Sequence, residues 1–132
     1  MTDLTALLAR LEAHPEGGRE LDGDIATAIN LMLSSDYSYA DWRAYCARNP
    51  SLGNHLYDDV PRYTTSTDAA VTLVPADHEW SLTSWSNGDM ISGKPRARVF
   101  TGRFDFKWCR AATPALALCV AALRARQAVE GT

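Results

Sequence analysis

The stretch ARVFTGRFDFKWCRA, residues 97 to 111, carries the alternation of side chains that is typical of a β-strand. Four aromatic side chains recur at every second or fourth position: Phe100, Phe104, Phe106 and Trp108. Successive residues of a strand point to opposite faces of a sheet, so one face would be aromatic and the other mixed polar. The turn-rich segment SNGDMISGKP precedes this run, and before it lies HEWSLTSWSNGD, residues 78 to 89. We therefore predict that the two runs pair as an antiparallel hairpin.

Helical patterns surround the predicted hairpin. Apolar residues recur at intervals of three and four, which is the spacing of one helix face. The predicted helices are residues 3–13, Leu21 to Leu33, Ala40 to Ala47, a short one after Ser66 that stops at Pro75, and Pro114 to Val129. Strands that lie late and adjacent between helices do not form the βαβ alternation of a parallel sheet. The predicted fold class is α+β.

The chain length predicts a single domain over residues 1–132, large enough for one core. Residues 34–59 are rich in turn formers and tyrosines, and we interpret them as an insertion-like segment. Five aromatic residues of this segment are too many for a loop that contacts only solvent: Tyr37, Tyr39, Trp42, Tyr45 and Tyr57. Some of them are expected to pack on the body of the protein or to contact a partner.

Charge and hydropathy argue against two classes of partner. A formal net charge of -3 offers no general attraction to nucleic acid or to anionic lipid. The longest apolar stretch is shorter than the roughly 20 residues that span a bilayer. The N-terminus carries Asp3 where a secretory signal would carry basic residues. We therefore expect no membrane partner, no nucleic-acid partner and a cytoplasmic location.

The stretch VPRYTTSTDAAVTLVP, residues 60 to 75, has two interpretations. A hydroxyl of Ser66 or Thr67 can cap a short helix, which accounts for the second half by structure alone. In the first half, an arginine offers a planar fork of donors for phosphate or carboxylate, and a tyrosine offers a ring on which a base can stack. The alternative is an arginine in a surface ion pair and a tyrosine at the edge of the core. The candidate ligand residues are Arg62, Tyr63, Thr64 and Ser66.

Two other features are suited to an anion. Thr113 is predicted to cap the last helix, and helix N-termini attract anions. If the helices after Ser66 and Thr113 begin at the same end of the sheet, their amides form an anion-binding pocket. Residues 94–110 also carry a local excess of five positive charges, which marks either a surface for an acidic partner, with Arg96 as a candidate, or a solvated strand face. The basic residues are Lys94, Arg96, Arg98, Arg103, Lys107 and Arg110, against Asp105.

Motifs in the sequence favour binding over catalysis. The sequence contains no nucleophile elbow, phosphate loop, paired-cysteine motif or HExxH. The sequence DHE, residues 77 to 79, lacks the spacing of a metal-ligand set. The cysteines Cys46, Cys109 and Cys119 lack paired spacing and are expected to be reduced, with Cys119 in the core. We predict no catalytic residue, no metal and no cofactor, and enzymatic turnover is the least supported class.

Three phrases together resemble a known family. RELDGDIA at 19–26, VPRYTTSTDAAVTLVP at 60–75 and TPALALCVAALRAR at 113–126 are similar, in order and spacing, to small phage and prophage proteins with a phage ABA sandwich domain. The resemblance covers most of the chain from Arg19 onward. It implies an α/β/α layered sandwich, with a small antiparallel sheet flanked by helices, in a bacterial host cell. It carries no established catalytic residue, and it has no counterpart for residues 34–59 or 94–98.

The favoured hypothesis is a non-enzymatic phage accessory protein, a counter-defence sponge that sequesters a nucleotide-derived immune signal of the host. Its ligand would be a phosphorylated small molecule. The alternative is a protein-interaction module that inhibits or recruits a host or phage protein, such as a host defence protein, through residues 37–57 or the basic hairpin. A small hydrolase or transferase is the third hypothesis. Aromatic strand faces and alanine-rich helices also permit a homo-oligomer with ligand sites between subunits.

Overall fold

The computed structural model describes residues 4–83, 95–101 and 108–130. Its helices are α1 (Thr5–Ala13), α2 (Arg19–Ala28), α3 (Tyr39–Arg48), α4 (Thr67–Val71) and α5 (Pro114–Glu130), with a 3₁₀ helix at Pro50–His55. Its strands are β1 (Met32–Ser34), β2 (Tyr37–Ser38), β3 (Glu79–Thr83), β4 (Arg96–Phe100) and β5 (Cys109–Arg110). They form two small antiparallel sheets, one of two strands and one in the order β3-β4-β5. The predicted α+β class is confirmed.

Helix α5 is the centre of the core. Every residue from Ala115 to Leu123 is buried, so the helix is enclosed on all sides and not along a single stripe. The larger sheet, α1 and α4 all pack against it, and its alanines allow these elements to approach closely. The helix begins as predicted, because the Leu116 amide donates a hydrogen bond of 3.2 Å to the Thr113 hydroxyl. The prediction that Cys119 lies in the core is also confirmed.

The larger sheet has one buried face and one partly exposed face. Strands β3 and β4 pair antiparallel, with Ser81 opposite Arg98, which confirms the predicted hairpin. Along β4, Ala97 and Val99 are fully buried, whereas Arg96 and Arg98 on the other face are half-buried. The sheet thus presents small apolar side chains to α5 and arginines to its second face.

The prediction of one aromatic strand from Val99 to Trp108 is wrong. Strand β5 pairs antiparallel with β4, with Cys109 opposite Ala97, so Phe100 and Cys109 belong to two strands that run in opposite directions. An alternating pattern does not reveal a reversal within the run, because both strands of a hairpin have the same period. Phe104 and Phe106 lie outside the described residues.

Helix α2 ends earlier than predicted. The predicted helix ran to Leu33, but the observed one ends at Ala28 and the chain then enters β1. Asn30 adopts a left-handed conformation with φ of 55°, and the amides of Asn30 and Leu31 donate to the carbonyls of Thr27 and Ala26. This pair of hydrogen bonds is a Schellman motif, which closes a helix and turns the chain away from its axis.

The insertion-like segment has secondary structure of its own. Helix α3 occupies the predicted position and begins with a capping box, in which Ser38 and Asp41 each bind the backbone of the other. Helix α4 is capped as predicted, because the Ser66 hydroxyl accepts from the Ala69 amide at 3.3 Å. Over the described ranges, no helix has both the length and the apolar character needed to cross a bilayer.

Candidate functional site

The structure separates the residues of the predicted ligand cluster. Arg62 is exposed, but Tyr63 is only 2% exposed and Thr64 is fully buried. The Ser66 hydroxyl is engaged as the cap of α4. Tyr63 and Thr64 therefore do not present their side chains at the surface, and their part in a ligand site stays a prediction.

Thr64 is the centre of a buried polar network. Its amide and its hydroxyl lie 2.8 and 2.7 Å from Oδ1 of Asp22, which is also fully buried. The hydroxyl accepts from the Gly18 amide at 2.9 Å, and Oδ2 of Asp22 accepts from Arg19 at 2.9 Å. A buried carboxylate is tolerated when several donors satisfy it, so this network explains why an acid occupies the interior.

The three sequence phrases on which the predicted resemblance rests meet at this network. Arg19 donates to the carbonyls of Tyr57 and of Val60, the latter at 2.8 Å. On the other side, the Cys119 thiol donates to the Tyr63 carbonyl at 3.0 Å. The phrases beginning at residues 19, 60 and 113 are thus joined by contacts that hold the fold together, and these contacts assign them a structural role.

The segment that contains α4 packs against α5. The Tyr63 carbonyl, three residues before the Ser66 cap, lies beside Cys119, and Arg126 donates to the Leu73 carbonyl at 2.6 Å. Cys119 is five residues after Pro114, about 7.5 Å along the helix axis at 1.5 Å per residue. The predicted pocket formed by the amides of both helix starts stays a prediction.

The remaining predicted residue, Arg96, belongs to a group of arginines and aromatic rings on the second face of the sheet. Its guanidinium carbon lies 4.5 Å from the centre of the Trp108 ring. Arg98 lies 5.0 Å from the same ring and 4.7 Å from that of Phe100. These are cation–π distances, and they hold the basic side chains of β4 against Trp108. Lys94, Arg103, Asp105 and Lys107 of the predicted basic segment lie outside the described residues.

A cleft of about 650 Å³ lies beside this group, between the end of β5 and the second half of α5. We call it the β5–α5 cleft. Its polar and aromatic lining consists of Glu12, Trp108, Cys109, Arg110, Arg124 and Gln127, with Ala121 and Ala128. Trp108 is 36% exposed. The predicted site residue Arg96 contacts this lining through Trp108.

The lining of the cleft is weakly positive. Among the described residues that line it, two arginines and one glutamate leave a net charge of one unit. Glu12 accepts a hydrogen bond from Arg124, and this bond raises the pKa of the Arg124 guanidinium. Burial raises the pKa of the Cys109 thiol, so the thiol carries its proton at neutral pH. A protonated thiol is a poor nucleophile, and the arginines are therefore the groups best suited to act on a ligand.

Sequence reasoning missed Glu12, Trp108 and Arg124 as parts of one site. They come from α1, from the residue before β5 and from α5, and no local spacing connects them. The excess of positive charge in residues 94–110 was the one sequence signal for this site. It includes Arg110, but Arg124 lies outside that segment. The described residues contain no group of three or more His, Cys, Asp or Glu side chains that could hold a metal ion.

Comparisons with protein-family models, with curated proteins and with solved structures give no match. The resemblance to the phage ABA sandwich domain therefore stays a prediction.

Proposed function

We propose that this protein binds and sequesters a small anionic ligand with an aromatic ring, of the nucleotide type, in the β5–α5 cleft. The observation that carries the proposal is that Arg110, Arg124 and the partly exposed residue Trp108 line the same cleft. A guanidinium pairs with phosphate through two parallel hydrogen bonds, and a base stacks on an indole ring. A volume of about 650 Å³ is in the usual range of ligand sites.

The proposal includes the role suggested by the sequence resemblance. In that role the protein is a phage counter-defence sponge, which lowers the free concentration of a nucleotide-derived signal in the cytoplasm of the host. Sequestration requires affinity without turnover, and Arg110 and Arg124 supply charge for affinity.

Isothermal titration calorimetry against ADP-ribose and cyclic dinucleotides tests the proposal. Trp108→Ala should weaken binding by about 5- to 150-fold through loss of stacking, and Arg110→Ala by about 10- to 150-fold through loss of charge-assisted hydrogen bonds. Arg62→Ala is the control, because Arg62 is exposed and does not line the cleft. Absence of binding to every ligand would contradict the proposal. If only Arg62→Ala lost binding, the ligand site would instead lie at residues 60–66.

Recovery of the ligand separates sequestration from catalysis. The bound ligand should be released intact by heat denaturation and identified by mass spectrometry. A changed product would instead support the hydrolase or transferase hypothesis.

A second candidate function is supported by a stack of aromatic rings on α3. Trp42 stacks on Tyr45 with ring centres 6.0 Å apart and meets Tyr37 edge-on at 6.4 Å. Tyr45 is 42% exposed, and exposed aromatic rings are typical of protein interfaces. This surface favours the protein-interaction module. Pull-down from host lysate should then yield a specific protein that Tyr45→Ala no longer captures, and retention of that protein by the variant would contradict this function.

A further inference from the structure

The Glu12–Arg124 ion pair lies between two adjoining cavities. The β5–α5 cleft is on one side, and a smaller cavity of about 310 Å³ lies on the other, lined also by Thr5, Leu8 and Ala9 of α1. Glu12, Arg124 and Gln127 line both cavities. The ion pair is therefore a shared wall, and a ligand that reaches Arg124 also meets Glu12.

The ion pair adds little to the packing of α1 against α5. The side chains of Glu12 and Arg124 are 40% and 52% exposed, and exposed ion pairs contribute at most about a factor of five to an equilibrium constant. Buried leucines already cover the apolar face of α1, namely Leu4 before its first turn and Leu7, Leu8 and Leu11 within it. An anion of higher charge can therefore displace Glu12 without loss of the helix contact.

The position of Glu12 on its own helix makes Arg124 its main source of electrostatic stabilisation. Glu12 is the penultimate residue of α1, near the C-terminal end of the helix. The helix dipole is negative there, so a carboxylate is disfavoured by its own helix. The favourable partner of this carboxylate is the guanidinium of Arg124 on α5, to which it is hydrogen-bonded.

We propose that Glu12 is a specificity-determining residue, an internal anion that holds Arg124 and is displaced when the ligand binds. This inference rests on the proposed function of the cleft. A neutral ligand, or one with a single carboxylate, gains nothing from exchanging places with Glu12. A phosphate or diphosphate carries more charge and more acceptor oxygens, so it gains from the exchange. Glu12 thereby lowers the affinity of the cleft for ligands with a phosphate-type group and leaves neutral ligands that share the same aromatic ring unaffected, so its charge sets how strongly the cleft prefers the phosphate ligand.

Calorimetry with ADP-ribose and with adenosine tests this inference on three proteins: the wild type, Glu12→Gln and Glu20→Gln. Glu12→Gln is nearly isosteric, keeps the wall in place and removes only the competing charge. It should bind ADP-ribose about two- to fivefold more tightly than the wild type and bind adenosine equally well. Glu20→Gln makes the same change in net charge on a residue of α2 that is 77% exposed and does not line the cleft, so it should match the wild type.

Each outcome decides between the two proposals. Wild-type binding of ADP-ribose with no gain in Glu12→Gln would overturn the role of Glu12 and leave the proposed function standing. An equal gain in Glu20→Gln would show a general effect of net charge and would also overturn it. No binding by any of the three proteins would overturn the proposed function, and the role of Glu12 with it. Thermal denaturation of each variant checks that the fold is retained.

Discussion

Thr64 shows that the same chemistry can serve a ligand or the fold. A hydroxyl beside an arginine and a tyrosine is suited to a phosphate, but this hydroxyl is buried and bonded to Asp22 and Gly18. Its partners lie more than forty residues earlier in the chain. Residue types in one stretch predict what a group can bind, whereas burial decides what it does bind.

Replacing Thr64 tests whether its hydroxyl stabilises the fold. Thr64→Val keeps the shape but leaves the Gly18 amide and one acceptor site of Asp22 without a partner, so it should lower the free energy of unfolding by about 1–3 kcal/mol. Thr64→Ser keeps the hydroxyl and should be less destabilising. Urea denaturation measures both. A valine variant as stable as the serine variant would show that the hydroxyl adds nothing.

The two glycines beside this network provide a second test. Gly17 has φ of 83°, and a Cβ there would lie 2.7–2.8 Å from atoms of Thr64. Gly17→Ala should therefore lower the free energy of unfolding by more than about 1 kcal/mol, through backbone strain and collision. Gly18 has extended backbone and open space at its Cβ position, so Gly18→Ala should be tolerated. Equal urea midpoints for the two variants would contradict this account.

At the scale of elements, local patterns predicted the helices and failed where the chain reverses. The leucine spacing of α1 and the cap of α5 are local signals, and both helices occur where they were predicted. The end of α2 depends on Asn30 in a left-handed conformation, and the division between β4 and β5 depends on a reversal within an alternating run. Neither feature alters the hydrophobic period, so the period alone cannot reveal it.

The packing of α2 against α3 leads to a prediction for Tyr39. Its side chain is fully buried, and within the described part of the chain its hydroxyl has no hydrogen-bond partner. The hydroxyl lies where a Cβ on Gly23 would approach within 2.9 Å. A buried hydroxyl without a partner is destabilising, so Tyr39→Phe should raise the free energy of unfolding by up to about 1 kcal/mol.

Tyr39→Ala is the companion variant. It removes the ring as well as the hydroxyl and should cost about 3–5 kcal/mol, because the cavity left in the core is only partly filled. Both changes can be followed by urea denaturation. A Tyr39→Phe protein that is clearly less stable than the wild type would mean that the hydroxyl has a partner.

At the scale of the whole molecule, the cleft could not be predicted because it exists only after folding. Glu12 and Arg124 are separated by 112 positions and meet because α1 packs on α5. Trp108 and Arg110 join them because the sheet packs on another side of the same helix. The central position of α5 therefore determines both the core and the candidate site.

Burial in this shared core also predicts how stability depends on pH. Burial raises the pKa of the Tyr39 and Tyr63 hydroxyls and of the Cys119 thiol. In the unfolded chain these groups ionise near their ordinary values, about 10 for tyrosine and about 8.5 for cysteine, while the folded protein still holds the protons. The folded state then binds more protons than the unfolded state, so the free energy of unfolding falls as pH rises above about 8.5.

Above pH 10, the slope of the free energy of unfolding against pH reports the contribution of the buried tyrosines. Each tyrosine that stays protonated only in the folded state contributes up to about 1.4 kcal/mol per pH unit. A protein with both Tyr39→Phe and Tyr63→Phe should therefore lose stability less steeply than the wild type between pH 10 and 11, as measured by urea denaturation at each pH. Tyr45→Phe, at a ring that is 42% exposed, should keep the wild-type slope. If the double variant kept the wild-type slope as well, the buried tyrosines would not be the cause of the loss of stability at alkaline pH.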